Sequence, residues 1–267
     1  MSKIAFIFPG QGAQTCGMGK DFYEQTETGR KVFDKATELL GFSVPELCFE
    51  PNDRLDITEY TQAAMVTTSI AMMKVLEENG VKPDVAAGLS LGEYCALVAA
   101  GVMTADDAIR TVRERGILMQ EAVPAGVGGM SAVLGMTADE INAVVDEIPN
   151  VQVANYNCPG QLVIAGEKAA LAEAIENCKA AGARRALPLA VSGAFHTPLM
   201  AEAAAELRAF VSDFTFSAPT MDIYSNLDGQ VYDCSKLPEH LEQHMISPVR
   251  WTRLVQNGMA AGLTSAC

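Results

Sequence analysis

The sequence has 267 residues, of which 33 are acidic and 19 are basic, so its formal net charge at pH 7 is −14. This acidic balance argues against nucleic acid as the main partner, because neutralising phosphates requires a basic surface. Hydrophobic residues make up 49% of the chain, which excludes global disorder and suits a large domain that carries a smaller one.

Strands alternate with helices in the first part of the chain. The apolar run Ile4–Phe8 predicts a buried strand, and Pro83–Gly88 predicts a second one. Helices are predicted over Asp21–Leu40, Thr61–Asn79, Leu91–Gly101 and Thr104–Val123. This alternation implies an α/β fold with a mainly parallel sheet that is covered on both faces.

The pattern changes after the glycine-rich segment 126–129. It predicts the order strand, helix, strand, strand, helix, strand, which is the ferredoxin-like arrangement. The predicted elements are Met130–Leu134, Thr137–Glu147, Val151–Asn155, Gln161–Gly166, Lys168–Ala181 and Arg185–Leu189. We therefore expect residues 126–190 to form a small domain inserted into a large one, which comprises residues 1–125 and 191–267.

The large domain resumes after the insertion. Its predicted elements are Ala201–Asp213, Ile223–Ser225, Leu237–Met245 and Val249–Ala261. The sequence ends at Gly262–Cys267, where a further strand is expected to begin, so we expect the C-terminal part of this domain to be truncated.

The cellular compartment is inferred from features that the sequence lacks. No apolar run is long enough for a membrane span or a signal peptide. The seven cysteines contain no CxxC pair, which favours free thiols over a zinc site. We expect a cytoplasmic protein without a metal.

Gly88-Leu-Ser90-Leu-Gly92 matches the G-x-S-x-G pattern, between a predicted strand and a helix of small residues. In such a nucleophile elbow the serine lies on a strained turn, and the glycines let the strand and the helix approach closely. The alternative is a Gly/Ser loop that merely connects the two elements. The strand before the motif and the helix after it favour a nucleophile.

A serine nucleophile needs a base, and the chain has three histidines. His196 follows the small domain in a loop of small and apolar residues, which makes it the candidate base; a core histidine bonded to a backbone carbonyl is the alternative. His240 and His244 lie on a charged helix, so both are expected to be solvated. Their i, i+4 spacing would supply only half of a zinc site.

Two features stay open on pattern alone. The loop Gly10–Gln14 lacks the lysine of a P-loop and the full GxGxxG spacing, so it supports nucleotide binding only weakly and can instead offer a backbone N–H to an oxyanion. Arg115 is either an ordinary solvated charge or a clamp for a carboxylate.

Several blocks of the sequence match one known family in chain order. They are Phe8–Gln14, Gly88–Tyr94, Arg115–Pro124, Asn155–Gly166, Val191–His196 and Ser247–Trp251. Together they closely resemble the malonyl-CoA:acyl-carrier-protein transacylases of bacterial fatty-acid synthesis, from residue 4 to about residue 262. Each block alone is modest evidence, whereas all of them in order are highly specific.

The resemblance implies a ping-pong transfer from malonyl-CoA to acyl carrier protein, with no cofactor. Ser90 would attack the malonyl thioester while His196 takes its proton. The phosphopantetheine thiol of the carrier protein would then resolve the malonyl-serine ester. The backbone carbonyl of His244, where relatives often have glutamine, would orient His196.

The resemblance also implies how the substrate is held. The backbone N–H groups of Gln11 and Leu91 would bind the oxyanion, and Arg115 would pair with the malonyl carboxylate. Phe195 looks like the malonyl-preferring form of its loop in related polyketide domains. A monomer is expected. Acidic carrier proteins require a local basic surface, and its candidate residues are Lys179, Arg184, Arg185, Arg250 and Arg253. The alternative is that each of them is an ordinary solvated charge.

Three departures from the family pattern stand out. Leu89 lies where many relatives have histidine, and Ala63 replaces the proline that usually follows Thr-Gln. The strand, Gly-Pro-Gly turn and helix with which the family normally continues are missing from this sequence.

Two other functions compete with malonyl transfer. A serine esterase or thioesterase of the α/β-hydrolase type shares the elbow but expects an acid between the serine and the histidine, an interval that the small domain fills here. A non-catalytic module that binds acyl carrier protein would not need Ser90, His196 and Arg115, which are all present.

Overall fold

The structure is a computed structural model, and it describes residues 3–123, 126–189, 191 and 193–266. The predicted domain limits at 1, 125, 190 and 267 lie outside the described residues, as do the motif residues Pro124 and Ser192. The division into two domains at those limits stays a prediction.

Eight strands, eleven α-helices and two short 3-10 helices are present in the described ranges. Strands β1 to β8 span Lys3–Phe8, Val85–Gly88, Gly128–Leu134, Val151–Cys158, Gln161–Glu167, Arg185–Pro188, Asp222–Tyr224 and Leu263–Ala266. Helices α1 to α11 span Lys20–Gln25, Glu27–Leu40, Val44–Phe49, Thr58–Glu78, Gly92–Ala99, Ala105–Glu121, Ala138–Val145, Lys168–Ala180, Ala201–Ser212, Leu237–Ile246 and Trp251–Ala260.

The first sheet is parallel and has the order β7-β2-β1-β8. Side chains of β1 alternate between its faces: Phe6 and Phe8 enter the main core, which the central helices cover. The opposite face packs against α11 through Val85, Ala87 and Leu254. The predicted α/β class, with helices on both faces of a parallel sheet, is confirmed.

The register of this sheet brings two loops together. Phe8 pairs with Gly88, so β1 and β2 end side by side. The loop after β1 carries Gln11, and the turn after β2 carries Ser90. Ligands of parallel sheets bind outside the carboxyl ends of the strands, which marks this edge as the place for a site.

The second sheet is antiparallel and has the order β4-β5-β3-β6. In chain order β3 is the first strand of this sheet, and it lies between the third, β5, and the fourth, β6. This is the ferredoxin-like arrangement, so that prediction is confirmed. One face, with Val133, Leu162 and Ile164, packs on α7 and α8 in a core of its own. The other face, with Ala132 and Val163, is turned toward the parallel sheet's loops.

Two sequence predictions about helices were wrong. The single helix over Asp21–Leu40 is broken at Thr26, whose extended backbone (φ −128°, ψ 138°) ends α1 and whose hydroxyl caps α2 by accepting from the N–H of Gly29. The second error is the omission of α3, which begins after the cap Ser43 and carries a proline in its first turn. In both cases a local hydrogen bond from the backbone to a capping side chain, Thr26 for α2 and Ser43 for α3, fixes where the helix begins.

The other predicted elements occur with small shifts at their ends. Thr104 caps α6, and Thr137 with Glu140 forms the predicted capping box of α7. Strand β8 begins at Leu263 and pairs with β1. The sequence analysis gave this strand as missing, and that prediction was wrong: four residues suffice to add a strand to the edge of the parallel sheet. None of the helices in the described part of the chain has the length and apolar character needed to cross a bilayer.

Candidate active site

Ser90 lies on the tight turn between β2 and α5, with a positive φ of 48°. The two flanking glycines make this turn sterically possible. A Cβ on Gly88 would come within 1.9 Å of the carbonyl carbon of Gly92, and one on Gly92 would come within 2.3 Å of the carbonyl oxygen of Phe8. The strand and the helix therefore approach each other more closely than any side chain would allow.

His196 reaches Ser90 from a distant part of the chain. Its Nε2 lies 2.8 Å from Ser90 Oγ, although the two residues are 106 positions apart. Its Nδ1 lies 2.9 Å from the carbonyl oxygen of His244. Since a carbonyl can only accept, Nδ1 carries the proton, and Nε2 is left free to accept the serine's proton.

The electrostatics of this site keep His196 neutral. Burial lowers the pKa of the His196 imidazole to about 3, and the nearby His244 and Arg115 act in the same direction. Hydrogen bonds with the backbone of His244 and Ser247 oppose this shift. A neutral imidazole at pH 7 has the protonation state that a general base requires.

Arg115 lies beside the nucleophile and is fully buried. Its Nη1 donates to Gln62 Oε1 at 2.8 Å, and its Nη2 lies 3.3 Å from Ser90 Oγ. Its Nε has no hydrogen-bond partner in the described structure. No carboxylate of the described residues forms a salt bridge with it, so a buried cation faces the nucleophile, and the charge of Glu93 acts on it without direct contact.

Gln62 is a site residue that the sequence analysis missed. Besides accepting from Arg115, its amide nitrogen lies 3.4 Å from Gln11 Oε1 and 3.3 Å from Met119 Sδ. It stands in a stretch of α4 that is buried from Thr61 to Thr68. A buried glutamine in such a stretch must find polar partners, and this was the signal available in the sequence.

Gln11 and Leu91, the predicted oxyanion residues, lie in the loop after β1 and at the start of α5. Gln11 follows β1, and its side chain is turned away to donate to Thr58 Oγ1 at 3.1 Å. Leu91 is the N-cap residue of α5, so its N–H belongs to the free donors at a helix N-terminus. That these two N–H groups form an oxyanion hole stays a prediction.

Ser90, His196 and Arg115 line a cleft of about 210 Å³ between the two sheets. The parallel sheet's side contributes Gly10, Gln11, Leu89, Ser90, Arg115 and His196. The antiparallel sheet contributes Met130, Ala132, Asn155, Asn157, Gln161 and Val163. Leu89, one of the departures from the family pattern, thus lies at the wall of the cleft, whereas Ala63 is wholly buried in α4.

The expectation that His240 and His244 are solvated was wrong. His244 is completely buried, and both rings face the buried carboxylate of Glu93, at 3.4 Å from His240 Nε2 and 3.7 Å from His244 Nδ1. Their i, i+4 spacing puts both on the inner face of α10, while the charges that made the helix look exposed, Glu239 and Glu242, bind Arg208 on the outer face.

Glu93 is ionised in this cluster. Burial disfavours its carboxylate, but His244, His240 and the N–H of Asn226 outweigh burial and lower the pKa of Glu93 to about 2. Burial also lowers the pKa of His244, to about 4. In the described part of the chain, no group of three or more His, Cys, Asp or Glu side chains is arranged to hold a metal ion.

Asn226 is a second residue that the sequence analysis missed. It follows β7, more than 130 positions from Ser90, yet its side chain contacts the backbone on both sides of Leu89. No motif marks it, because its partners are backbone atoms of a distant turn.

The candidate basic residues are spread over both sheets' elements. Lys179 pairs with Glu176 at 2.8 Å, and Arg250 stacks over the ring of Tyr156. Arg184, Arg185 and Arg253 are exposed. Whether they form a docking surface stays a prediction.

Comparisons with known proteins agree over nearly the whole chain. The family model described as acyl transferase domain matches residues 5–265. The chain is 44% identical to the malonyl CoA-acyl carrier protein transacylase of Bacillus subtilis (strain 168), over 99% of this chain and 86% of the relative.

Solved structures agree equally well. An acyl carrier protein S-malonyltransferase from Vibrio cholerae is similar with a TM-score of 0.95 and 42% identity, over 99% of this chain and 89% of that one. A second similar structure is a type II PKS acyl-carrier protein in complex with its malonyl-transacylase, with a TM-score of 0.96 and 39% identity, over 99% of this chain and 88% of that one.

Proposed function

This chain belongs to the acyl transferase domain family and, within it, to the malonyl CoA-acyl carrier protein transacylases, and on that basis we propose that it moves a malonyl group from malonyl-CoA to the thiol of acyl carrier protein in fatty-acid synthesis. One observation carries the proposal: the hydroxyl of Ser90 lies 2.8 Å from His196 Nε2 and 3.3 Å from a buried, unpaired Arg115. The first contact suits acyl transfer, and the second suits an acyl group that ends in a carboxylate.

In the first half-reaction, Ser90 Oγ attacks the thioester carbonyl of malonyl-CoA while His196 Nε2 takes the hydroxyl proton. The negative charge on the carbonyl oxygen is met by the N–H groups of Gln11 and Leu91. When the carbon–sulfur bond breaks, the imidazolium returns its proton to the departing coenzyme A thiolate. A malonyl ester of Ser90 remains.

The second half-reaction reverses these steps. His196 takes the proton of the carrier protein's pantetheine thiol, whose sulfur attacks the ester carbonyl. The tetrahedral intermediate collapses, Ser90 Oγ leaves and recovers a proton from His196, and a malonyl thioester is released. The cleft supports this sequence because shielding from water protects the ester from hydrolysis.

Orientation of His196 comes from a backbone atom and not from an acid. The carbonyl oxygen of His244 accepts from Nδ1–H at 2.9 Å. This bond selects the tautomer whose Nε2 can accept a proton, and the carbonyl dipole favours the imidazolium that forms during each half-reaction. An α/β-hydrolase would place an aspartate or glutamate there, so this geometry speaks against the esterase alternative.

Arg115 gives the site its preference for a short diacid. In a malonyl group, one carbon separates the carboxylate from the reacting carbonyl, so a clamp must lie next to the nucleophile. The 3.3 Å contact between Arg115 Nη2 and Ser90 Oγ meets that condition. An acetyl group in the same place would leave a buried guanidinium unpaired, which costs binding energy.

We further propose that the protein acts as a monomer in the cytoplasm. The absence of CxxC pairs and the three buried free thiols Cys48, Cys95 and Cys178 suit a reducing compartment. Sedimentation of the purified protein would test the monomer, and a stable dimer would contradict it.

Mass spectrometry after mixing the protein with malonyl-CoA tests the function. We expect one malonyl adduct on the peptide that contains Ser90, no adduct in Ser90→Ala, and loss of the adduct when holo acyl carrier protein is added, with malonyl-carrier as the product. Release of free malonate as the main product would favour a hydrolase. Binding of carrier protein without any adduct would favour the non-catalytic module.

A further inference from the structure

Asn226 forms a bracket around the turn that carries the nucleophile. Its side chain is completely buried. The amide nitrogen donates to the carbonyl oxygen of Gly88 at 2.6 Å, and the amide oxygen accepts from the N–H of Ser90 at 2.7 Å. These two backbone groups belong to the peptide units on either side of Leu89, so a single side chain sets the orientation of both.

Asn226 is in turn held by its own backbone. Its N–H donates to Glu93 Oε2 at 2.8 Å, and its carbonyl oxygen accepts from the N–H of Arg250 at 2.8 Å. Glu93 lies on α5, three positions after the nucleophile. The carboxylate, Asn226 and the turn are thus linked by consecutive hydrogen bonds, which close through the bond from the N–H of Glu93 to the carbonyl oxygen of Ser90.

The turn needs such a restraint. A serine at φ 48° occupies the left-handed region, which is strained for a non-glycine residue and persists only where the surroundings over-determine it. The adjoining N–H of Ser90 is also committed to Asn226, and the N–H of Leu91 remains as the donor on the α5 side. Without the bracket, Ser90 Oγ could relax away from His196.

We infer that Asn226 is a positioning residue for the serine nucleophile, holding Ser90 Oγ between His196 and the oxyanion donors without touching the substrate. The inference rests on the proposed function, because positioning is read out through malonyl transfer. It assigns Asn226 no role in binding malonyl-CoA, since Asn226 is not among the residues that line the cleft.

Asn226→Ala removes both hydrogen bonds, and Asn257→Ala is its matched control. Asn257 donates from its side-chain amide to the carbonyl oxygen of Gly229 at 2.7 Å. It therefore binds the loop after β7, to which Asn226 also belongs, but within the described residues it makes no hydrogen bond to the turn that carries Ser90. Displacing a reacting group by about 1 Å costs about 100-fold in rate. We expect Asn226→Ala to lose about that much in kcat with KM for malonyl-CoA nearly unchanged, and Asn257→Ala to keep its kcat.

Asn226→Asp provides a second readout that a merely structural role would not move. As a carboxylate, Asp can accept from Ser90 but cannot donate to Gly88, and it adds a negative charge next to Glu93. As a neutral acid, it regains one donor and one acceptor. Its kcat relative to the wild type should therefore rise as the pH falls from 8 to 5.

The wild type is measured in the same buffers. The charged and ionisable groups near this position are Glu93 on α5 and His240 and His244 on α10, and the wild-type profile is the reference against which the Asn226→Asp profile is compared. All rates are taken at a temperature at which circular dichroism shows each variant to be folded.

The outcomes separate the inference from the function on which it rests. If the wild type forms no malonyl-Ser90, the proposed function fails. If the wild type is active and both Asn226 variants keep its kcat at every pH, or if Asn257→Ala loses as much as Asn226→Ala, the positioning role is overturned. A raised KM with unchanged kcat would likewise overturn it. Should Asn226→Ala not fold, Asn226→Asp decides the question through its pH profile.

Discussion

Replacing Arg115 by alanine tests the proposed carboxylate clamp most directly. The guanidinium is fully buried, has no carboxylate partner among the described residues, and lies 3.3 Å from the nucleophile. Two unit charges about 4 Å apart attract by about 4 kcal/mol at an effective dielectric constant of about 20. Desolvation of the substrate carboxylate offsets part of this, which leaves about 1.5–3 kcal/mol for the charge-assisted hydrogen bonds.

At about 1.4 kcal/mol per factor of ten, Arg115→Ala should lower kcat/KM for malonyl-CoA by about 10- to 150-fold more than for acetyl-CoA. The assay measures transfer from each thioester to acyl carrier protein under identical conditions. Arg113→Ala is the matched control: this arginine lies two residues earlier on α6, is partly buried, and pairs with Glu59 at 2.8 Å. It is not among the residues that line the cleft. The substitution should change both substrates' kcat/KM alike.

Equal losses with malonyl-CoA and acetyl-CoA in Arg115→Ala would refute the clamp, because a general disturbance of the site does not distinguish the two acyl groups. A loss of selectivity in Arg113→Ala of the same size would refute it as well. In that case the selectivity would come from the α6 helix as a whole and not from the Arg115 charge.

Two more predictions concern the turn and the buried histidines. Gly92→Ala should destabilise the protein by about 1–3 kcal/mol or more, since its Cβ would come within 2.3 Å of Phe8 O; an unchanged urea midpoint would show that the strand and the helix can separate. Burial lowers the pKa of His196 to about 3 and of His244 to about 4. The unfolded chain therefore takes up protons that the folded chain does not, and stability should fall as the pH drops from about 6.5 toward 4. Replacing His244 by glutamine should flatten that slope in pH-dependent unfolding, and an unaltered slope would place the proton uptake elsewhere.

Patterns of neighbouring residues predicted most of the secondary structure. The capping box of Thr137 and Glu140 and the N-cap at Thr104 depend on contacts within one helical turn, and both occur as predicted. The break at Thr26 was missed because the helix propensity on both sides is high and only the Thr26 side chain's own hydrogen bond decides the interruption.

The candidate site was predicted in part. Ser90 could be placed on its turn because the elbow requires glycines at fixed spacing, a purely local steric demand. Gln62, Glu93 and Asn226 could not be placed, since their partners lie 53, 133 and 136 positions away. Their importance comes from polar contacts in a buried environment, and such contacts leave no periodic trace along the chain.

The sequence by itself determined the alternation of strands and helices, the strained serine turn and the membership of the family, because these depend on residue order and on sterics within a few positions. Only the tertiary structure decided which histidines are buried, which groups satisfy Arg115, and that Ser90 and His196 share a hydrogen bond across 106 residues. The physical reason is that burial and pairing of charges are properties of the space between elements, and the packing of two sheets around one cleft creates that space.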